Sequence, residues 1–143
     1  MSRMMSFAVL IFVVVVTLGA CSDAAGEVIG APGDPDAVDR VITLDATNEL
    51  EFDPSSIEVT AGETIEFQVN NVAEVEHELV LGPEHEHHEG MDHSDGSAGT
   101  GAIKPGSSAS LVWEFPEAGE VRFACYIANH NEAGMTGTIT VSE

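Results

Sequence analysis

The segment Phe123-Ala124-Cys125-Tyr126-Ile127-Ala128-Asn129-His130-Asn131-Glu132-Ala133-Gly134-Met135-Thr136-Gly137 decides how the rest of the chain is read. It sets a thiol, an imidazole and a thioether in one short loop. Four residues separate Cys125 from His130, and four separate His130 from Met135. A soft thiolate, a borderline imidazole and a weak thioether together suit copper better than other common metals. Such a centre needs a second imidazole from elsewhere in the chain.

The flanking strands show where that imidazole lies. Side chains alternate between the two faces of a strand, so phase tells which way each one points. Cys125 is in phase with Val121 and Phe123. Met135 is in phase with Ile139 and Val141, and His77 with Leu79 and Leu81. All three are therefore expected on inward faces. Taken singly, His77 fits a hydrogen-bonded core histidine, Cys125 a small core residue and Met135 a gap filler. Burying an imidazole and a thiol without partners is costly, and convergence on one metal removes that cost. The joint phase and spacing favour the metal.

Outward from the loop, the chain from about Val38 reads as short strands with turn signals between them. Val41-Ile42-Thr43-Leu44 begins the series, and Phe52-Asp53-Pro54 marks a bend. Ile57 and Val59 share a face, as do Ile65, Phe67 and Val69, with a turn at Ala61-Gly62-Glu63. Residues 77–81 form another strand. Lys104-Pro105-Gly106 turns into Ala109-Ser-Leu111-Val-Trp113-Glu-Phe115, with Trp113 in the core. The pattern has no helical period and predicts an all-β sandwich or barrel.

The beginning of the chain reads differently. Arg3 precedes an apolar run from Phe7 to Leu18, broken only by Thr17. That run fits a signal peptide and is short for a membrane span of about 20 residues. Leu18-Gly19-Ala20-Cys21 resembles the lipobox of bacterial lipoproteins, which implies a signal peptide over 1–20, lipidation of Cys21 and attachment to the cell membrane. Lipidation would leave Cys125 as the one free thiol in an exported, oxidising setting. Residues 21–37 are small, acidic and Gly/Pro-containing, and read as a flexible tether ahead of a domain at 38–143.

The formal net charge is -21, with 25 acidic residues against four Lys and Arg. Nucleic acid is excluded as a partner, because phosphate binding needs a basic patch. The acidity permits a protein partner with a basic docking surface; it equally serves solubility or a salty medium. No Ser/His/Asp set or acid pair stands out, so no enzymatic activity is expected.

From Val38 to Val141 the chain resembles the cupredoxins, the plastocyanin, azurin and auracyanin group of type 1 copper proteins. The resemblance rests on Phe52-x-Pro54-x-x-Ile57-x-Val59-x-x-Gly62-x-x-Ile65-x-Phe67-x-Val69-x-Asn71 and on Phe123-x-Cys125-x4-His130-x-x-x-Gly134-Met135-x-Gly137-x-Ile139-x-Val141. It implies a Greek-key β-sandwich of about seven to eight strands. It also implies one type 1 copper on His77, Cys125, His130 and a long axial bond to Met135, carrying single electrons between Cu(I) and Cu(II), most simply in a monomer. Two positions depart from the family pattern: Glu78 stands where Asn is common, and Ala128-Asn129 where Pro-Gly is common.

A second cluster, His85, His87, His88, Met91 and His93, lies in a polar, glycine-flanked loop at 83–99. Histidine-rich tracts bind metals, which makes the loop a candidate weak second site and opens an alternative role in copper sequestration, delivery or tolerance. The same composition fits a solvated loop without a ligand, since mobile side chains must be ordered on binding.

Overall fold

The computed structural model describes residues 29–82 and 98–143. The leader, Cys21 and the cluster from His85 to His93 lie outside the described residues. Nine strands are present among the described residues: β1 (Ala31–Pro32), β2 (Arg40–Ala46), β3 (Phe52–Asp53), β4 (Ser56–Thr60), β5 (Thr64–Asn71), β6 (Val80–Leu81), β7 (Ser108–Glu114), β8 (Gly119–Ala124) and β9 (Thr136–Ser142). They form two sheets, ordered β1-β7-β5-β2-β3 and β4-β9-β8-β6. The strands beyond the seven or eight expected are two-residue pieces, too short to show alternation.

Period-two patterning makes the core. Ile57 and Val59 of β4, Phe67 and Val69 of β5, Leu111 and Trp113 of β7, Val121 and Phe123 of β8, and Ile139 and Val141 of β9 all face the interior. Phe52 meets Phe123 edge to face with ring centroids 5.4 Å apart, and Phe67 meets Phe115 at 6.1 Å. β2 runs parallel to β5 and β4 parallel to β9, so the chain crosses between the sheets rather than meandering within one. Gly137 sits where the sheets close: a Cβ there would collide with the Phe123 ring and the Ser55 carbonyl.

The folded body starts earlier than the sequence suggests. Residues 29–33 already pack on β7, ahead of the domain start at residue 38. β1 pairs with residues 113–114, the Gly33 N–H donates to the Val112 carbonyl at 3.0 Å, and Trp113 Nε1 donates to the Ile29 carbonyl at 3.0 Å. Gly30 allows this approach with a φ of 108°, since a Cβ would strike the Trp113 ring. These bonds involve the backbone, which the composition of the segment does not reveal.

Candidate metal centre

The centre lies where residues 77–81 meet the turn after β8. Residues 77–81 are laced on one side to residues 98–103. The His77 N–H donates to the Ile103 carbonyl at 3.2 Å, and Ile103 returns a bond to the His77 carbonyl at 2.6 Å. Thr100 N–H donates to the Leu79 carbonyl, and Leu81 N–H to that of Ala98. On the other side β6 pairs with β8, with Val80 opposite Ala124. His77 is therefore fixed by backbone bonds rather than by its own side chain.

Asn71, buried at the end of β5, ties the same region together. Its side-chain amide donates to the Val75 and Ile103 carbonyls at 2.7 and 2.8 Å, and its oxygen accepts from the Ala73 N–H at 2.9 Å. Both the His77 N–H and the Asn71 amide thus converge on one carbonyl, that of Ile103.

Cys125, His130 and Met135 come from one compact turn. The Cys125 N–H donates to the Met135 carbonyl at 3.1 Å, and the Met135 N–H to the His130 carbonyl at 3.0 Å. A short 3-10 turn at Ile127–Asn129 carries the chain round, with the His130 N–H bonded to the Ile127 carbonyl. Ala128 and Asn129 hold left-handed φ values of 49° and 58°. Asn tolerates that conformation; for Ala it costs roughly 1 kcal/mol. Gly134, with φ 111°, completes the return to β9.

Cys125 Sγ lies 3.5 Å from His130 Nδ1 and 3.9 Å from His77 Nδ1. The three donor atoms all fall within 4.8 Å of one another. A first-row ion with bonds of about 2.05 Å to nitrogen and 2.3 Å to sulfur separates trigonal N and S donors by about 3.8 Å. The observed spacings fit such an ion at their centre. The set contains two imidazoles and a thiol with no carboxylate, which selects copper or zinc over harder ions. Met135, whose carbonyl accepts the Cys125 N–H, is fully buried.

Burial pushes the Cys125 thiol up to about 11; the Glu78 and Ile127 amides work against that shift, and the Glu78 charge adds to it. Burial also lowers the His77 pKa, with the His130 charge acting in the same direction and the Thr47 backbone opposing. His77 Nε2 is buried and lacks a partner in hydrogen-bond geometry, so the Thr47 contact is too loose to count as a bond. The metal-free centre is thus a neutral imidazole beside a protonated thiol, and a metal must displace the thiol proton to bind.

The family of copper binding proteins that includes plastocyanin and azurin matches residues 39–142. The chain belongs to the plastocyanin/azurin family. The copper-resistant cuproprotein CopI of Rubrivivax gelatinosus is 36% identical over 132 residues, covering 86% of this chain and 79% of that protein. CopI of Pseudomonas aeruginosa is 31% identical over 156 residues, covering 84% and 86%. Among solved structures, auracyanin B superposes with a TM-score of 0.66 at 20% identity, covering 82% of this chain and 98% of that one. The auracyanin of Roseiflexus castenholzii gives 0.61 at 22% identity, covering 75% and 99%.

Membership in the plastocyanin/azurin family makes this a copper-binding protein of cupredoxin fold. The structure brings together His77, Cys125 and His130, the three first-named of the four residues singled out in the sequence, with Met135 buried in the same turn. Sequence reading missed the supports. Asn71 is a three-bond hub, Ile103 and Thr100 hold residues 77 and 79, and Glu78 reaches into the site. Of these, Glu78 alone carried a signal, as the position where the sequence departs from the Asn common in the family.

Proposed function

We propose that the protein is an envelope copper protein serving copper tolerance. It would hold one ion at a type 1 centre, with His77, Cys125, His130 and Met135 as the residues that would hold it. The observation that carries the reading is the convergence of both Nδ1 atoms on the buried Cys125 sulfur. A thiolate, two imidazoles and a weak thioether favour Cu(I) and Cu(II) nearly equally, so the bound ion can change charge by one electron. The chain's part is to hold these donors on sheet backbone and a tight turn, so that they move little when the charge changes. No open position is needed at the metal, and we assign no enzymatic activity.

The role in tolerance is supported by the printed names of the CopI relatives. Lipid attachment through Cys21 would place the domain at the membrane surface, and its acidity suits a basic redox partner. The test is genetic. Loss of the gene should lower the copper concentration that stops growth, and the Cys125→Ser gene should fail to restore it at equal protein level. Growth in copper unchanged by gene loss rules out tolerance. The second reading, a carrier of single electrons between Cu(I) and Cu(II), would then stand, and slow reoxidation of its redox partner would be its sign.

A further inference from the structure

The contacts that seat residues 29–33 lie at one end of the sandwich. Ile29 packs on Gly119, the first residue of β8, where a Cβ would strike its side chain. Trp113 Nε1 donates to the Ile29 carbonyl at 3.0 Å, and Ala31 stands opposite Glu114, the last residue of β7. The chain then stays at that end. The Asp39 N–H donates to the Thr64 carbonyl at 2.9 Å, and the Asp39 carboxylate accepts from the Thr64 N–H at 2.8 Å, where β5 begins. The metal centre is at the other end: Cys125 follows the last residue of β8, and Asn71 ends β5. At about 3.3 Å per residue, the run from Gly119 to Cys125 sets the centre about 20 Å from the seat of Ile29.

This seat changes what the preceding chain can do. A tether free from Cys21 to Val38 would reach about 60 Å. With residues 29–33 docked, the chain from Cys21 to Ile29 reaches at most about 28 Å, whatever shape it takes. A folded domain of about 100 residues is roughly 33 Å across. Laying the metal end on a membrane would lift Ile29 about as far above it as a fully straightened tether allows. Laying the opposite end there needs no extension.

We infer that residues 29–33 are an orienting strap. They shorten the tether and fix its exit at the far end, so that a domain anchored at Cys21 turns its metal centre away from the membrane. The inference rests on the reading of Cys21 as the anchor and is independent of which metal is bound. The half-exposed His130 then faces the aqueous compartment. The partner this arrangement fits is a soluble protein, and a site flush with the bilayer surface lies out of reach.

Energy transfer reads the orientation in the full-length, lipidated protein on phosphatidylcholine vesicles whose headgroups carry an acceptor dye. One donor dye is attached through either Glu117→Cys, near Gly119, or Ala133→Cys, in the turn that carries Cys125 and His130. Both positions are exposed, and native Cys125 is buried. Transfer from position 117 should exceed that from position 133 several-fold. Equal transfer, or more from position 133, overturns the inference. Two changes should bring the signals close to equal. Gly30→Val unseats the strap, because a Cβ there strikes the Trp113 ring and the Glu114 carbonyl. A Gly/Ser insertion of about twelve residues after Ser22 lengthens the tether and leaves every docked residue in place, so it serves even where Gly30→Val does not fold. A difference that survives the insertion shows that tether reach does not set the orientation, and one that survives unseating shows that the strap does not; either overturns the inference. A full-length protein that fails to float with the vesicles overturns the reading of Cys21, and this inference with it.

Discussion

His77 and His130 turn the same atom, Nδ1, toward the same sulfur from opposite surroundings. His77 is wholly buried, fixed by reciprocal backbone bonds to Ile103, and depressed in pKa by its burial. His130 is half-buried in a short turn that closes on itself through bonds from residues 127 to 135. Their rings stand 5.0 Å apart. One histidine belongs to the core and would lose its place only if the sheet moved. The other belongs to the surface and stands half open to solvent. The centre thus joins a rigid half, built by long-range pairing, to a local half, built by a turn.

The contrast can be broken first at the histidines. His77→Ala should destabilise the metal-free domain by about 2–3 kcal/mol, since the cavity cost is partly offset by removing the unpartnered Nε2. His130→Ala should cost under about 1 kcal/mol, as expected for a half-exposed turn residue. Urea unfolding of both variants measures the difference. Added imidazole should restore the copper band in His130→Gly but not in His77→Gly, where solvent cannot reach. Equal costs, or equal rescue, would erase the distinction.

The rigid half can be loosened without touching a ligand. Asn71→Ala strands the Val75 carbonyl and the Ala73 N–H and removes one of two bonds to the Ile103 carbonyl. The expected loss is about 2 kcal/mol in urea unfolding.

Acidity and alkalinity act on the two halves from opposite sides. The folded His77 pKa lies below its ordinary 6.5, so its contribution to stability is present above that pH and is lost as pH falls. The folded Cys125 pKa is raised from 9.0 to about 11, so its contribution is present below pH 9 and is lost as pH rises toward 11. The metal-free domain should therefore be most stable between about pH 6.5 and 9. Copper uptake near neutrality should release one proton, from Cys125, measurable in weakly buffered solution. The copper-loaded domain should lose the alkaline limb, because its sulfur is already deprotonated.

The smallest effect is expected in the local half. Ala128 holds a left-handed φ that glycine adopts freely. Ala128→Gly should raise the unfolding free energy by at most about 1 kcal/mol, because the greater freedom of the unfolded glycine offsets part of the relief.

What the sequence made legible follows from periodicity. Alternation placed Val121, Phe123 and Cys125 on one face, and it did the same for Ile65, Phe67 and Val69, all of them buried. His77 stood out among six histidines because it alone shared a phase with apolar neighbours. Glu78 escaped the same rule. Alternation assumes one dry face and one wet face, whereas residues 77–81, held edge to edge between β8 and residues 98–103, are buried on both faces. The covering segment, Ala98-Gly-Thr-Gly-Ala-Ile103, has no apolar period to announce it. Residues 29–33 were hidden for a related reason: they join β7 through backbone bonds and a glycine approach, not through a hydrophobic stripe. Asn71 looked like the polar end of a strand, and its three bonds depend on distant chain.

A Cu(II) titration followed by visible absorption tests most directly whether the Cys125 sulfur is a copper ligand. The wild-type protein should develop an intense thiolate charge-transfer band that saturates at one ion per chain, whatever further copper it takes up, and Cys125→Ser should develop none. A band that survives in Cys125→Ser, or a wild-type protein that binds copper without one, would contradict it.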